Sequence, residues 1–485
     1  MSKKEMVTLT IDGRKITVEK GTTILEAARA LDIDIPTLCF LKEINEVGDC
    51  RMCLVEIAGV KGYKASCVYP VEEGLVVRTN TKGLIDTKRT ILELLLSSHE
   101  KKCLTCVRST NCRLQDLCRR FEIPDLEYEG EMPEADLDDS SACIVRNTAK
   151  CILCRRCVNI CKKVQGVSAI STVNRGFHSK IGVALNMEMR NSTCVGCGQC
   201  IIHCPVGALT EKSNVGALRE ALADPKKHVI IQTAPAVRAT IGEEFGMPIG
   251  SLVQGKMVAA LRRLGFDKVF DTDLGADITI MEEATEFISR LKENKNLPMI
   301  TSCSSGWINF AEKFYPESLN HLSTTKSPME ILGTIIKTYY AEKEGIDPKD
   351  IYSVALMPCS AKKAEIIRDE LKLENGLQAV DNVITTREMA RILKEANIDL
   401  AALEDEEYDK PLGEATGAGH IFGTTGGVME AALRSVSYLL DGTEIENVEF
   451  KMVRGNKDIK EAEIIVQGKK HKIAVAQGLS NASKL

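Results

Sequence analysis

Two cysteine runs in this sequence have the spacing of an iron–sulfur ligand set. KCILCRRCVNIC and CVGCGQCIIHCP both follow the pattern C-x2-C-x2-C-x3-C. In such a run three thiolates wrap one cubane 4Fe–4S cluster, and the fourth cysteine reaches a second cluster. The runs contain Cys151, Cys154, Cys157 and Cys161, and then Cys194, Cys197, Cys200 and Cys204.

The exchange of fourth cysteines predicts how the eight thiolates divide between two cubanes. Pro205 follows the second run as the pattern requires, whereas Lys162 stands where the first run would have proline. Structural zinc takes two C-x2-C pairs, so two four-cysteine runs favour clusters over zinc. The prediction is Cys151, Cys154, Cys157 and Cys204 on one 4Fe–4S cluster, and Cys194, Cys197, Cys200 and Cys161 on the other.

A third cysteine set follows a pattern of short strands near the N-terminus. VTLTIDGRKITVE reads as two alternating strands joined at Asp12-Gly13, and Thr23 and Glu26 are spaced as a helix capping box. The cysteines then follow C-x10-C-x2-C-x13-C, as Cys39, Cys50, Cys53 and Cys67. This arrangement resembles the β-grasp 2Fe–2S module that is fused to respiratory dehydrogenases and iron-only hydrogenases. Zinc stays open as an alternative, because one C-x2-C pair with two distant cysteines is a weaker signal.

A predicted apolar helix over residues 83–98 leads to a mixed His and Cys set. The spacing H-x3-C-x2-C-x5-C comprises His99, Cys103, Cys106 and Cys112, and it resembles the His-ligated 4Fe–4S site of the same two families. Neutral imidazole in place of a thiolate removes negative charge, which raises the expected reduction potential. Cys118 and Cys143 fit no pattern, and we expect them to be small buried apolar residues.

Composition places the chain among globular metalloproteins. Its 485 residues suggest three or four domains, and a net charge of −5 argues against nucleic acid as a partner. The sequence has neither an apolar leader nor an 18-residue apolar run, which predicts a cytoplasmic protein without membrane attachment. Nineteen cysteines in such a protein indicate metal binding rather than disulfides, in a reducing and anaerobic cytoplasm.

Residues 216–485 have few cysteines, and strand-like and helix-like segments alternate there. HVIIQT, KVFDTD, LPMITS and IYSVALMP are predicted strands of a largely parallel sheet in an α/β domain. Cys303 and Cys359 are placed just past strand ends, where functional loops of such sheets lie. GTTGG opens a predicted helix without the G-x-G-x-x-G spacing, so we expect no nucleotide site in this chain.

Four stretches of this region carry a family resemblance: QTAPAVRATIGEEFG, TSCSSGW, MPCSAKKAE and IFGTTGGVMEAALR. They resemble the catalytic domain of iron-only (FeFe) hydrogenases, and the chain as a whole is similar to the large subunit of the electron-bifurcating NAD-linked hydrogenases. The resemblance implies that Cys303 matches the proton-transfer cysteine and Cys359 a ligand of the active-site cubane. It also implies that Lys362 matches the lysine that meets a cyanide of the diiron unit.

The hydrogen-forming site is expected to be lost. Ser304 stands where the family has a ligand cysteine, and a hydroxyl is a poor substitute for a thiolate. The sequence ends at LSNASKL, where the family would continue to a CxxxC loop with two more ligands. We therefore expect Cys359 and Lys362 to be structural, and Trp307 to be a core residue.

These patterns predict a multidomain protein of α+β and α/β class. The expected domains are a β-grasp 2Fe–2S domain over 1–80, a His/Cys3 4Fe–4S segment over 81–122, a two-cluster ferredoxin domain over 140–215, and an iron-hydrogenase-like domain over 216–485 without the CxxxC loop. Residues 124–142 form an acidic connector. The expected cofactors are one 2Fe–2S and three 4Fe–4S clusters, without a hydrogen cluster.

The resemblance implies an iron–sulfur electron-transfer and scaffold subunit of a flavin-based, electron-bifurcating NAD(P)/ferredoxin oxidoreductase of transhydrogenase type. The subunit would not be catalytic by itself. FMN or FAD and NAD(P) would bind to flavoprotein partners, beside a small 2Fe–2S subunit and ferredoxin in a higher-order hetero-oligomer. The alternative is the catalytic subunit of an electron-bifurcating hydrogenase. A respiratory NADH dehydrogenase subunit shares the N-terminal modules but resembles the chain less after residue 230.

Overall fold

The structure of the protein is a computed structural model. It describes residues 5–123, 131–132, 134–442, 451–453, 456–466 and 468–485, so most of the acidic connector at 124–130 lies outside the described residues. The chain divides into two compact units, the first Met1–Cys194 with Gln199–Glu211 and the second Val195–Gly198 with Lys212–Leu485. Within the described part of the chain, no helix combines the length and the apolarity that crossing a bilayer requires.

The first unit is built from short elements joined by long cysteine-bearing loops. Its strands are β1 (Met6–Ile11), β2 (Arg14–Glu19), β3 (Leu54–Ile57), β4 (Lys64–Ala65), β5 (Val76–Arg78), β6 (Leu137–Asp138), β7 (Ile144–Asn147), β8 (Ser171–Val173), β9 (Lys180–Gly182) and β10 (Leu209–Glu211). Its helices are α1 (Ile24–Arg29), α2 (Lys82–Ser97), α3 (Arg113–Arg120), α4 (Arg156–Asn159) and α5 (Gln199–His203).

The N-terminal sheet has the strand order β2-β1-β5-β3-β4. The predicted hairpin is confirmed, because Asp12 and Gly13 both have positive φ, as a tight two-residue turn requires. The capping box at Thr23 and Glu26 is also confirmed, with the Thr23 hydroxyl accepting from the Glu26 N–H. Alternate residues of β1, among them Leu9 and Ile11, fill the core between the sheet and α1, and this core supports the loops that carry the first cysteines.

Two smaller sheets flank the cysteine runs. One has the order β10-β7-β6, and the other is the hairpin β8–β9. Helix α4 begins after Arg155, which has positive φ, and places Cys157 inside the unit. Helix α5 likewise buries Cys200. Short helices of this kind aim successive thiols in different directions around a small volume.

The second unit contains longer helices and a parallel sheet. Its strands are β11 (His228–Thr233), β12 (Lys268–Asp271), β13 (Ile351–Met357), β14 (Asn382–Thr385), β15 (Lys451–Val453), β16 (Asn456–Val466) and β17 (Lys469–Ala476). Its helices are α6 (Val215–Ala223), α7 (Gln254–Arg263), α8 (Asp273–Glu293), α9 (Ser305–Phe314), α10 (Pro328–Ile335), α11 (Ala341–Glu344), α12 (Lys362–Glu365), α13 (Thr386–Glu395), α14 (Gly417–Ile421), α15 (Gly427–Asp441) and α16 (Leu479–Ala482).

The sheet of strands β12-β11-β13-β14 is parallel throughout, as the alternating pattern predicts. Its strands are buried along nearly their whole length, which is typical of a sheet with helices on both faces. Loops at the carboxyl ends of β11 and β13 carry APAVR and MPCSAKK. The sheet therefore positions Cys359, which follows β13.

One predicted strand of the second unit is wrong, and four of its strands were not predicted. LPMITS forms a single bridge, between Ile300 and Leu322, and Pro298 has no N–H to donate to a ladder. Cys303 therefore follows an irregular segment rather than a strand. Strand β14 was missed because NVIT is short and lies directly before the cap of α13. The antiparallel sheet β15-β16-β17 was not predicted either.

A buried ion pair joins α12 to α13 in the second unit. Lys363 Nζ lies 2.8 Å from both carboxylate oxygens of Glu388, and both side chains are almost fully buried. Glu388 also accepts from the N–H groups of Thr385 and Asn214. Burial makes each charge dependent on the other, because neither can regain water.

We expect Lys363→Met to destabilise this region by about 3–5 kcal/mol, because it leaves the Glu388 carboxylate buried without its counter-charge. Native-state hydrogen exchange of the β14 and α13 amides measures the local opening free energy. Lys372→Met is the matched control, since it removes an exposed pair with Asp369, for which we expect about 0–1 kcal/mol. Equal effects of the two substitutions would contradict the assignment.

Candidate functional site

The four N-terminal cysteines converge in the first unit. The backbone N–H of Cys39 donates to Cys50 Sγ at 3.4 Å, and the Sγ atoms of Cys53 and Cys67 lie 3.3 Å apart. Three of these residues are buried, and Cys50 is half-buried. The structure thus brings together the set predicted for the 2Fe–2S cluster, on the loops between α1 and β5.

Electrostatics at this set fit a metal cluster. Hydrogen bonding to Cys50 and burial raise the pKa of Cys39, while the same hydrogen bond lowers the pKa of Cys50 to about 6. In the Cys53–Cys67 pair, the hydrogen bond to Cys67 likewise lowers the pKa of Cys53, to about 7. Crowded sulfurs can hold more than one negative charge only beside a cation, which iron supplies.

His99 of the predicted His and Cys set lies just past the C-terminal end of α2, while Cys103 is exposed and Cys106 and Cys112 are half-buried. His99 is buried, and its Nδ1 has no hydrogen-bond partner among the described residues. Burial lowers the pKa of His99, which favours the neutral imidazole that ligates metals. Cys106 Sγ lies against Gly207, where a Cβ would meet it at 2.6 Å, so a larger residue at 207 would displace this thiol. The buried His99 Nδ1 has no hydrogen-bond partner in the described part of the chain and is therefore available to bind a metal, as the predicted ligand set requires.

One cubane set shares a single cavity. Its lining includes Cys151, Cys154, Cys157 and Cys204, the four thiols that the exchange of fourth cysteines assigns to one cluster. Cys161, the last cysteine of the first run, does not line it. Burial raises the pKa of Cys151 to about 11 and of Cys154 to about 12. These buried thiols therefore ionise readily only when a positive group shares the cavity.

The residues of the remaining cubane set belong to different units. Cys161, Cys194 and Cys200 belong to the first unit, and Cys197 belongs to the second, in the loop Val195–Gly198. This set stays a prediction from the spacing. Among the described residues, no three His, Cys, Asp or Glu side chains are arranged to hold a single metal ion.

The loop of Cys197 is held within the second unit by side chains that bind its backbone. Asn309 donates to the Val195 carbonyl at 3.2 Å, and Ser360 donates to the Gly196 carbonyl at 2.9 Å. A Cβ on Gly306 would lie 3.8 Å from the Cβ of Cys197. The loop therefore packs beside the start of α9 and the segment that follows Cys359.

The hydrogenase-like residues lie around the N-terminus of α9. Ser304 is exposed and forms the N-cap, with no side-chain capping bond. Lys362 Nζ donates to the Cys303 carbonyl at 3.0 Å and lies 2.7 Å from the Glu365 carboxylate. Glu365 also accepts from the hydroxyls of Ser305 and Ser327. Lys362 and Glu365 thus hold the loops of Cys303 and Cys359 together.

A row of buried polar groups leads away from Cys303 along α8. Burial raises the pKa of Glu283 to about 7, and burial together with the charge of Glu283 raises the pKa of Cys303 to about 11. Both Glu283 carboxyl oxygens are shielded from water. Ser323, the next group, donates to Glu286 at 3.0 Å, and Arg290 binds the same carboxylate. Glu283 is the acid of this group whose pKa lies near neutral pH, so it can take up and release a proton there.

A further buried acid, Glu330, lies near Glu365 and Lys362. It is 1% exposed, one carboxyl oxygen has no partner among the described residues, and burial raises its pKa to about 8. Sequence reasoning missed Glu330 and the row on α8. The spacing of Glu283, Glu286 and Arg290, three and then four residues apart, was the available signal, because it places them on one helix face.

The remaining single residues are located as follows. Cys143 is buried as predicted, whereas Cys118, Cys303 and Cys359 are half-buried. Burial raises the pKa of Cys118 to about 11. None of the 19 cysteines, all of them described, forms a disulfide. Trp307 is half-buried and packs near Phe310, with ring centroids 6.2 Å apart.

Four family models match consecutive parts of the chain. The model described as "Iron only hydrogenase large subunit, C-terminal domain" matches residues 227–485. A 2Fe–2S iron–sulfur cluster binding domain matches residues 4–82, and the NADH-ubiquinone oxidoreductase-G iron–sulfur binding region matches residues 88–126. A 4Fe–4S dicluster domain matches residues 150–208.

Individual relatives match over most of their length. The chain is 48% identical to the NADP-reducing hydrogenase subunit HndD of Solidesulfovibrio fructosivorans, over 99% of this chain and 84% of the relative. It is 44% identical to iron hydrogenase 1 of Clostridium pasteurianum, over 99% of this chain and 83% of the relative. The apo [FeFe]-hydrogenase HydA1 structure from Chlamydomonas reinhardtii is 42% identical over 56% of this chain and 77% of its own, with a TM-score of 0.52.

We expect His99→Cys to leave the 4Fe–4S cluster of the His99 set in place and to lower its reduction potential by on the order of 100 mV, because a thiolate adds negative charge. A redox titration followed by EPR measures the shift. Cys143→Ala is the control, since Cys143 fits no ligand pattern and its replacement should leave the potential of this cluster unchanged. An unchanged potential in His99→Cys would refute the ligand assignment.

The exchange of fourth cysteines is tested by two alanine substitutions. We expect Cys204→Ala to damage the cluster of Cys151 and Cys154, because these thiols share one cavity. We expect Cys161→Ala to damage the cluster that also takes Cys194. EPR of each variant, compared with Cys151→Ala and Cys194→Ala, identifies the affected cluster. The exchange of fourth cysteines would be contradicted if Cys204→Ala matched Cys194→Ala and Cys161→Ala matched Cys151→Ala.

Proposed function

Because the chain belongs to the iron-only hydrogenase large-subunit family, we propose that it is the iron–sulfur electron-transfer subunit of an NAD(P)-linked oxidoreductase complex. The relative with 48% identity is named as an NADP-reducing hydrogenase subunit, which supports the nucleotide link. The flavin and the nucleotide would bind to partner subunits, because the sequence has no nucleotide-binding fingerprint.

The proposed cofactors are one 2Fe–2S and three 4Fe–4S clusters, held by the residue sets described above. Iron–sulfur clusters supply one-electron transfer, whereas a nicotinamide accepts or gives two electrons at once. A subunit with several clusters can connect a flavoprotein to a one-electron carrier such as ferredoxin. We therefore assign the complex to the electron-bifurcating transhydrogenase type, with a flavoprotein, a small 2Fe–2S subunit and ferredoxin as partners.

Ser304 is the observation that carries the assignment of a non-catalytic subunit. It occupies the position of a cluster-ligand cysteine, and its hydroxyl neither ionises near neutral pH nor binds iron as a thiolate does. The neighbouring cation Lys362 is engaged by Glu365 and by the Cys303 carbonyl. These contacts give the loops a structural role that needs no metal at Ser304.

The second candidate is a hydrogen-converting subunit, and a specific group of residues favours it. Cys303 lies near Glu283, and Ser323, Glu286 and Arg290 continue a row of buried polar groups away from it. A buried acid lowers the stability of the fold unless its polar atoms are compensated, so the presence of Glu283 here favours a role in proton transfer at Cys303.

Iron content separates the two candidates. We expect the purified chain, co-expressed with hydrogenase maturation proteins, to contain about 14 iron atoms, against about 20 with a hydrogen cluster. We also expect no hydrogen evolution from reduced methyl viologen. Measured values near 20, or hydrogen evolution, would establish the second candidate.

Two variants make the iron measurement specific. Cys359→Ala removes a thiol that matches a hydrogenase-type ligand, and we expect it to leave the iron content unchanged. Cys154→Ala is the positive control, because it should lose about four iron atoms from one cubane. A loss of iron in Cys359→Ala would show that Cys359 binds a cluster and would favour the second candidate.

A further inference from the structure

Asn45 joins two cysteine loops that are far apart in the sequence. Its side chain is 0% exposed. Its Nδ2 donates to the Cys39 carbonyl at 2.6 Å and to the Cys154 carbonyl at 3.0 Å, and its Oδ1 accepts from Asn159. A primary amide has two N–H groups, so both donors of Asn45 are used on backbone atoms of two predicted ligand residues.

A second observation places the same two loops side by side. One groove in the first unit is lined by Cys50 and Cys154, together with Leu94 of α2. Arg155 extends the contact, since its Nε donates to Asp49 at 2.7 Å. Contacts that do not involve Asn45 therefore also place the ligand loop of the 2Fe–2S site beside the ligand loop of one cubane site.

The chemistry of the side chain restricts what can replace it. The substitution Asn45→Asp would place a carboxylate against two carbonyl oxygens, which repel it, and an apolar side chain would leave both carbonyls unpaired. Buried polar groups left without partners are strongly unfavourable, so the amide fixes the separation of the two loops. A hydrogen-bonded bridge between two ligand residues also provides a short covalent and hydrogen-bonded path between the sites.

We propose that Asn45 is a positioning residue that holds the 2Fe–2S ligand loop against the Cys154 loop, so that the 2Fe–2S site exchanges electrons directly with the cubane site of Cys151, Cys154, Cys157 and Cys204. The proposal rests on the proposed function, in that these cysteines hold clusters. In the exchange one electron leaves the reduced site and enters the oxidised site, with no bond broken and no proton moved. It gives the N-terminal module its place in the relay.

Lys163 offers a matched control. Its Nζ donates to the Ile44 carbonyl at 2.7 Å, and it therefore ties the segment around Asn45 to the chain that follows α4. It does not contact a predicted ligand residue through that bond. If electron transfer required only that the two loops be tied together, replacing Lys163 or Asn45 would have the same effect. If it requires the contact with the ligand residues, only the replacement of Asn45 slows it.

The test uses the full chain with its clusters. Asn45→Leu and Lys163→Met are compared with the unsubstituted protein for iron content, for the EPR spin–spin interaction of the two reduced centres, and for electron equilibration after a reducing pulse. We expect unchanged iron content, a weakened spin–spin interaction and about tenfold slower equilibration in Asn45→Leu, as for other residues that support metal ligands. We expect Lys163→Met to match the unsubstituted protein.

Asn45→Ser keeps the test decisive if Asn45→Leu fails to fold. Its single hydroxyl donor can reach one carbonyl but not both, so we expect slower equilibration with full iron content. The proposal would be overturned if either Asn45 variant kept the equilibration rate and the spin–spin interaction of the unsubstituted protein. It would also be overturned if Lys163→Met reduced both as much as the Asn45 variants do. Absence of a 2Fe–2S or a cubane signal in the unsubstituted chain would instead refute the proposed function.

Discussion

Crowding of buried sulfur is the constraint on which the first unit depends. Cys151, Cys154 and Cys157 have raised thiol pKa values, because burial opposes ionisation and each sulfur repels charge on the next. A positive iron–sulfur core removes this conflict, and the family models place 2Fe–2S and 4Fe–4S binding domains over the cysteines of this unit. The unit has short strands and helices around its sites, so ligand loops rather than a large apolar core occupy much of its sequence. Cluster binding and folding are therefore expected to be linked.

Polar side chains hold these loops where regular structure is sparse. Asn45 binds the carbonyls of Cys39 and Cys154, and Arg108 donates to the carbonyl of Cys204 at 3.0 Å. Each bond ends on the backbone of a predicted ligand residue. Such contacts fix the backbone of a ligand and leave its sulfur available for iron. They also explain how a chain with long loops can keep several sites in register.

The second unit combines a cluster of polar contacts around Cys303 with an exposed serine beside it. The parallel sheet, the Lys362–Glu365 pair and the row from Glu283 to Arg290 surround Cys303 as a built polar environment. Ser304 is exposed beside them and brings a hydroxyl to the position that the sequence resemblance assigns to a ligand thiolate. The choice between the two candidate functions therefore depends on how strongly one oxygen-for-sulfur exchange weakens iron binding. The buried acids favour proton chemistry, and Ser304 opposes a metal there.

Ligand spacing, the Asp12-Gly13 hairpin and the capping box at Thr23 could be predicted from the sequence, because they depend on neighbours a few residues apart. The parallel sheet followed from alternating strand and helix patterns. The strand at LPMITS was wrong and β14 was missed, since pairing depends on a distant partner that local pattern does not reveal. Asn45 and Glu330 had no local signal, as their roles arise only when remote loops and helices exclude water around them. The sequence by itself determined which residues carry the thiols and the imidazole of the predicted cluster sites. The tertiary structure decided which loops meet, because burial and hydrogen bonding act between residues that are neighbours only in space.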